Sequence, residues 1–136
     1  MIKLATSNYK YIDVSDFELN NIDPSYTLNT VSHFLKYYPN ISILVGDDTL
    51  PDLDKWYKIQ TLIDVVDKIY VAQRNINYVR SPFINDLINK QKIEFIRNKE
   101  LAVSSTEIKA NLGNNGYLKN CLDKKVFDYM ETLKGN

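Results

Sequence analysis

The hydrophobic positions of this 136-residue chain change spacing repeatedly between a helical and a strand-like period. Residues 1–8 read as the last turns of a helix, with Ile2, Leu4 and Ala5 apolar. Tyr11 to Val14 predicts a short strand with Ile12 and Val14 on one face. After the punctuation Asp23-Pro24-Ser25, a helix is expected with Ser25 as N-cap and Leu28, Val31, Phe34 or Leu35, and Tyr38 inward. Pro39-Asn40 ends it. The continuous apolar run Ile41 to Val45 suits a buried parallel strand, stopped by Gly46-Asp47-Asp48. Tyr57 to Val66 is helical through Ile59, Leu62, Ile63 and Val66. Lys68 to Ala72 is a strand, 73–81 is polar and irregular, Pro82 to Lys90 is a short helix, and Lys92 to Ile96 is a third strand of α/β type. Ser104-Ser105-Thr106-Glu107 matches a capping box, with the helix it opens ending near Gly113. Asp123 is expected to cap a last helix that turns Val126, Tyr129 or Met130, and Leu133 inward. Alternating helices and strands predict an α/β layer architecture in a single domain spanning 1–136.

Composition narrows the functions open to such a chain. Lys+Arg is 17 and Asp+Glu is 17, so the basic excess of a non-specific nucleic-acid binder is absent, although a local basic patch stays open. No apolar run approaches the roughly 18 residues of a membrane span. The opening residues 1–10 lack the apolar stretch of a signal peptide, so a cytoplasmic location is expected. The one cysteine, Cys121, leaves no internal disulfide and no cysteine metal cage, and the one histidine, His33, excludes any motif needing two. His33 projects away from the apolar stripe of its helix and reads as a solvated surface residue; Cys121 reads as a buried or half-buried thiol, and Lys124-Lys125 as a solvated helix face.

In open α/β sheets ligands bind beyond the carboxyl ends of the strands. Gly46-Asp47-Asp48 lies there: glycine lets a ligand approach the backbone, and a carboxylate just beyond can accept from a ribose diol, although the same residues equally make a turn with a helix cap. Val103-Ser104-Ser105-Thr106-Glu107-Ile108-Lys109 places three hydroxyls at a helix start, where first-turn amides favour an anion and Lys109 adds charge one turn in; a well-made capping box explains the same pattern. Trp56-Tyr57 is a third candidate, either core or a platform for an aromatic ring.

Taken together and in order, these segments resemble the bacterial nicotinate-nucleotide adenylyltransferases of the nucleotidylyltransferase superfamily. The matching pieces are Asp13 to Leu19, Pro24 to Thr30, Leu44 to Leu50, Leu53 to Tyr57, Val71 to Arg74, Val103 to Lys109, and Tyr117-Leu118 with the closing helix. The resemblance implies transfer of an adenylyl group from ATP, accompanied by Mg, to nicotinate mononucleotide, giving deamido-NAD and pyrophosphate without a covalent intermediate. It implies that Gly46 and Asp48 sit at the ATP ribose. Ser104, Ser105 and Thr106 would hold phosphate, with Lys109 beside them as the one catalytic group. Tyr26 and Thr27 would lie at the nicotinate mononucleotide, Thr27 near its carboxylate. Trp56 would stack on the pyridine ring, Tyr57 would add a backbone contact, and Arg74 would face the mononucleotide phosphate. The implied fold is part of a Rossmann-like parallel sheet with flanking helices.

The chain departs from the family pattern in three places. The family's N-terminal G-x-F-x-P-x-H-x-G-H motif, whose two histidines bind phosphate and stabilise the transition state, is not in this sequence. Met1 is therefore expected to correspond to an internal position, with the family's first two strands absent. The strand at 41–45 then exposes an edge. Self-association, collapse of the N-terminal strand onto that edge, or a separate polypeptide supplying the missing half is expected. The last arginine of the S-S-T-x-x-R motif is Lys109, which keeps charge without the bidentate fork, and the Arg-Pro-Gly turn is Arg74-Asn75-Ile76. Little or no catalysis is expected of the 136-residue chain itself. A non-catalytic binding or assembly module, and an adenylyltransferase for another acceptor such as phosphopantetheine or nicotinamide mononucleotide, are the rival readings.

Overall fold

The computed structural model describes residues 1–20, 24–73, 79–98 and 103–134. The chain groups into two units, Phe17–Leu101 and the pair of segments Met1–Asp16 with Ala102–Asn136.

Within Phe17–Leu101, three short strands carry the apolar runs: β1 (Ile43–Gly46), β2 (Ile69–Ala72) and β3 (Ile93–Ile96). They form a parallel sheet in the order β1-β2-β3, with Ile43, Ile69 and Ile93 in register, as the α/β reading predicts. Alternation then puts Ile69, Val71 and Ile93 into the core, while Leu44, Tyr70 and Glu94 share the opposite face. β1 has a neighbour on one side only among the described residues, and Leu44 is 65% exposed, so the expectation of an open edge at 41–45 is met and that of full burial is not.

Helical spacing supplies the rest of this core. Leu28 and Val31 come from a helix over Thr27–Phe34, and Ile59, Leu62 and Ile63 from one over Ile59–Val65. Ile84 and Leu87 come from Pro82–Asn89. That last helix starts on Ser81, whose hydroxyl accepts from the Ile84 N–H at 3.3 Å, with Pro82 in the first turn. Between β1 and the helix at Ile59–Val65 the chain runs through a 3₁₀ segment, Asp47–Lys55, which buries Leu50 and Leu53. The N-cap at Ser25 is corrected: Tyr26 takes that position, accepting from the Asn29 N–H through its carbonyl at 2.9 Å with no side-chain cap. The helix also stops at Phe34, leaving Tyr38 exposed.

His33 is not a solvated surface residue. Its ring stacks on Phe17 at 3.9 Å between centroids and meets Phe34 edge-on at 5.1 Å, so the half of the helix facing away from the aliphatic core is an aromatic cluster.

In the other unit, Ile2–Thr6 forms the expected N-terminal helix and packs on the last helix, Lys124–Lys134. Lys125 ties the two by donating from Nζ to Ser7 Oγ at 2.6 Å and to Asn8 Oδ1 at 2.8 Å, so one of the two lysines read as a solvated face is a structural donor. Asp123 caps as predicted, its carboxylate accepting from the Lys125 N–H at 2.9 Å. A helix over Asn115–Cys121, opened by Asn114, was absent from the sequence reading. Its Leu118 and the final helix's Val126 and Phe127 are buried, whereas Leu133 and Tyr129 are exposed. The partner helices have five and seven residues, too short to cover the last turn of an eleven-residue helix. The predicted strand at 11–14 is irregular here, with Tyr11 84% exposed: a strand preference is realised only against a packed neighbour.

Candidate functional site

The 3₁₀ segment ends at Trp56, whose extended backbone (φ −65°, ψ 145°) leaves the helical region. Lys58 then turns the chain into the helix at Ile59–Val65 through the left-handed conformation, φ 48° and ψ 46°. This three-residue link presents Trp56 and Tyr57 side by side. Trp56 is half-buried against the aliphatic core, and Tyr57 stands at the rim. Opposite them is the N-terminus of the helix at Thr27–Phe34. Ser25, Tyr26, Thr27, Lys55, Trp56 and Tyr57 line one cleft of about 290 Å³. Four of the five residues expected at the acceptor, Tyr26, Thr27, Trp56 and Tyr57, are thus brought together.

Two aromatic contacts in this cleft escaped sequence reasoning. The Tyr26 and Tyr57 rings stack at 4.3 Å between centroids, 22° from parallel. The Lys58 ammonium lies 5.3 Å from the Tyr57 ring centroid. Nothing in the residue types at 26 and 57, thirty-one positions apart in the sequence, announces the pairing. Lys55, which lines the cleft, is bound to the Asp52 carboxylate at 2.5 Å, and that hydrogen bond raises its pKa.

Gly46 and Asp48 lie at the carboxyl end of β1, where ligands of parallel sheets bind. Gly46 is extended (φ −80°, ψ 155°) and precedes the first 3₁₀ turn; Asp48 is exposed, and Asp47, only 2% exposed, points into the protein. Ser104 to Lys109 belong to the other unit. The capping box is fully formed there: Ser104 Oγ accepts from the Glu107 N–H at 3.2 Å, and the Ser104 N–H donates to Glu107 Oε2 at 3.0 Å. Its helix covers Ser105–Ala110 and closes on Asn111, so the expected C′ position at Gly113 lies one residue beyond the real one, and no glycine among those described has positive φ. Ser105, Thr106 and Lys109 are exposed. Arg74 lies outside the described residues. Cys121 is half-buried as expected, and a hydrogen bond to it raises the Tyr117 pKa.

No helix among the described residues is long and apolar enough to cross a membrane. No group of three or more His, Cys, Asp or Glu side chains among them has the closeness of a metal cage.

Residues 1–111 match the family described as cytidylyltransferase-like. Among curated relatives, one from Caldicellulosiruptor bescii is 29% identical over 96% of this chain and 68% of its own length. One from Flavobacterium psychrophilum is 32% identical over 96% of this chain and 67% of its own. A third, from Methylacidiphilum infernorum, is 32% identical over 96% and 62%. Each bears the name "Probable nicotinate-nucleotide adenylyltransferase". The chain thus spans about two thirds of the length of these relatives.

Proposed function

The chain belongs to the cytidylyltransferase-like family, and from that membership we propose that it carries the acceptor side of an adenylyl transfer from ATP to nicotinate mononucleotide. The observation that carries this reading is the single cleft that unites Tyr26, Thr27, Trp56 and Tyr57. Trp56 offers a flat face to the pyridine ring, and Thr27, in the first turn of its helix, offers a hydroxyl and a backbone N–H to the ring carboxylate. Tyr57 adds its backbone beside Trp56. Arg74 is assigned to the mononucleotide phosphate on the resemblance alone. In the reaction a phosphate oxygen of the mononucleotide attacks the α-phosphorus of ATP, the bond to the β-phosphate breaks, and pyrophosphate leaves. Gly46 and Asp48 are assigned to the ribose of ATP, and Ser104, Ser105, Thr106 and Lys109 to its phosphates. Lys109 supplies a point charge to the transferring group. Magnesium would enter as part of the substrate, held by the oxygens of the triphosphate. A cytoplasmic place follows from the same reading, since both substrates are soluble metabolites.

The 136 residues hold one histidine, and it is stacked on Phe17, so a histidine pair for phosphate is not supplied within them. This favours a second reading for the chain by itself, that of a binding module with little turnover. Calorimetry should give saturable heat with nicotinate mononucleotide and none with nicotinamide mononucleotide or phosphopantetheine; equal responses to all three would remove the acceptor assignment. With ATP and Mg present, turnover should stay below the range of roughly 1–10³ per second common to enzymes, and a rate within that range would refute the reduced-activity reading.

The open edge of β1 supports a further proposal, self-association or pairing with another polypeptide through that strand. Light scattering should then return a mass above that of one chain; a clean monomer across a wide concentration range would count against self-association.

A further inference from the structure

We infer that Lys58 is a positioning residue for the acceptor cleft, acting through the Tyr57–Tyr26 stack; this rests on the acceptor reading above. Three observations meet at this residue. Its backbone is one of two non-glycine positions at positive φ among the described residues, and the turn it makes leads the chain directly from Trp56-Tyr57 into the helix at Ile59–Val65. Its ammonium lies 5.3 Å from the Tyr57 ring centroid. That ring stacks at 4.3 Å on Tyr26, the residue immediately before Thr27. The contacts Lys58 to Tyr57 to Tyr26 therefore bridge the starts of two helices across the cleft. Together with the core packing of those helices, they set the spacing between Thr27 and Trp56, the groups assigned to the two ends of the nicotinate.

Tyr26 and Tyr57 are 40% and 42% exposed, so neither ring is locked by core packing. Lys55 is committed to Asp52 and leaves Lys58 as the cation seated on this aromatic wall. An ammonium near a tyrosine face favours the ring orientation that keeps it there, and a stacked neighbour extends that preference to the second ring. A preformed spacing spares the ligand the cost of ordering the two walls.

The test uses the whole chain and two readouts. The first is the cross-relaxation between Tyr26 and Tyr57 ring protons in the ligand-free protein, read by NMR. It should be present in the native chain, weakened in Lys58→Met, and restored in Lys58→Arg, which keeps the cation. Lys58→Gly, which relieves the left-handed backbone, should behave like Lys58→Met, because what is lost is the ammonium. The second readout is affinity for nicotinate mononucleotide, which should weaken about two- to fivefold in Lys58→Met and Lys58→Gly and recover in Lys58→Arg, the size expected of an exposed cation–π contact. An absent tyrosine cross-peak in the native chain, or Lys58→Met indistinguishable from it in both readouts, overturns the inference. A Lys58-dependent cross-peak with no binding of the nucleotide by any variant overturns the acceptor reading and the positioning role with it, while leaving the clasp as a structural fact.

Discussion

Leu62→Ala should lower the stability of the Phe17–Leu101 unit by about 2–5 kcal/mol, the range for truncating a fully buried leucine to alanine. Leu62 has no exposed surface and sits on the helix at Ile59–Val65 within the cluster that joins Leu28, Val31, Leu53, Ile69 and Ile84. The truncation removes three carbons from a site enclosed by sheet, helices and 3₁₀ segment, where collapse of any one wall is opposed by the others, so a cavity remains. Small domains hold only about 5–15 kcal/mol in total, which makes this loss a large share. Trp56, half-buried against the same core, reports the transition in urea. Gln60→Ala, on the exposed side of the same helix, should move the midpoint little. An unchanged midpoint for Leu62→Ala would mean that this core is not the cooperative unit described.

The second large effect concerns the cleft. Trp56→Ala should weaken nicotinate mononucleotide binding by about 1–3 kcal/mol, roughly five- to 150-fold, if the indole is the platform on which the pyridine ring lies. Part of the indole packs on the core, so some loss of stability accompanies the change. Trp56→Phe, which keeps an aromatic face, separates the two: it should recover part of the affinity, whereas a purely structural role would track the melting temperature alone. Calorimetry reads both variants without the tryptophan. Native-like affinity in a folded Trp56→Ala chain would place the ring elsewhere.

The parts of the fold that sequence reading found are those set by local pattern. Val71 and Ile93 lie on strands whose runs are short, apolar and bounded; Ile59, Leu62 and Ile63 repeat at helical spacing; and Ser104 with Glu107 is a capping box that forms as written. What it missed depends on neighbours distant in sequence. Tyr11 to Val14 has the composition of a strand and joins no sheet among the described residues. His33 looks solvated on a helical wheel and is covered by Phe17, sixteen residues away. Ser25 is the better capping residue by type, yet the helix starts after Tyr26, whose ring is engaged by Tyr57. At the candidate site the acceptor residues were legible as an ordered set through the resemblance, because Trp56-Tyr57 and Tyr26-Thr27 stand at matching places. Their physical closeness, and the tyrosine stack beneath Lys58, arise from packing between segments distant in sequence, which no local pattern encodes.

The central claim is that the Tyr26, Thr27, Trp56 and Tyr57 cleft receives nicotinate mononucleotide. The chain's single tryptophan makes the most direct measurement a fluorescence titration of Trp56 with nicotinate mononucleotide, run beside nicotinamide mononucleotide. Saturable quenching by the acid form, absent with the amide, is the predicted result. A chain that keeps its folded far-UV spectrum and shows no quenching with either nucleotide, or the same quenching with both, would contradict the account.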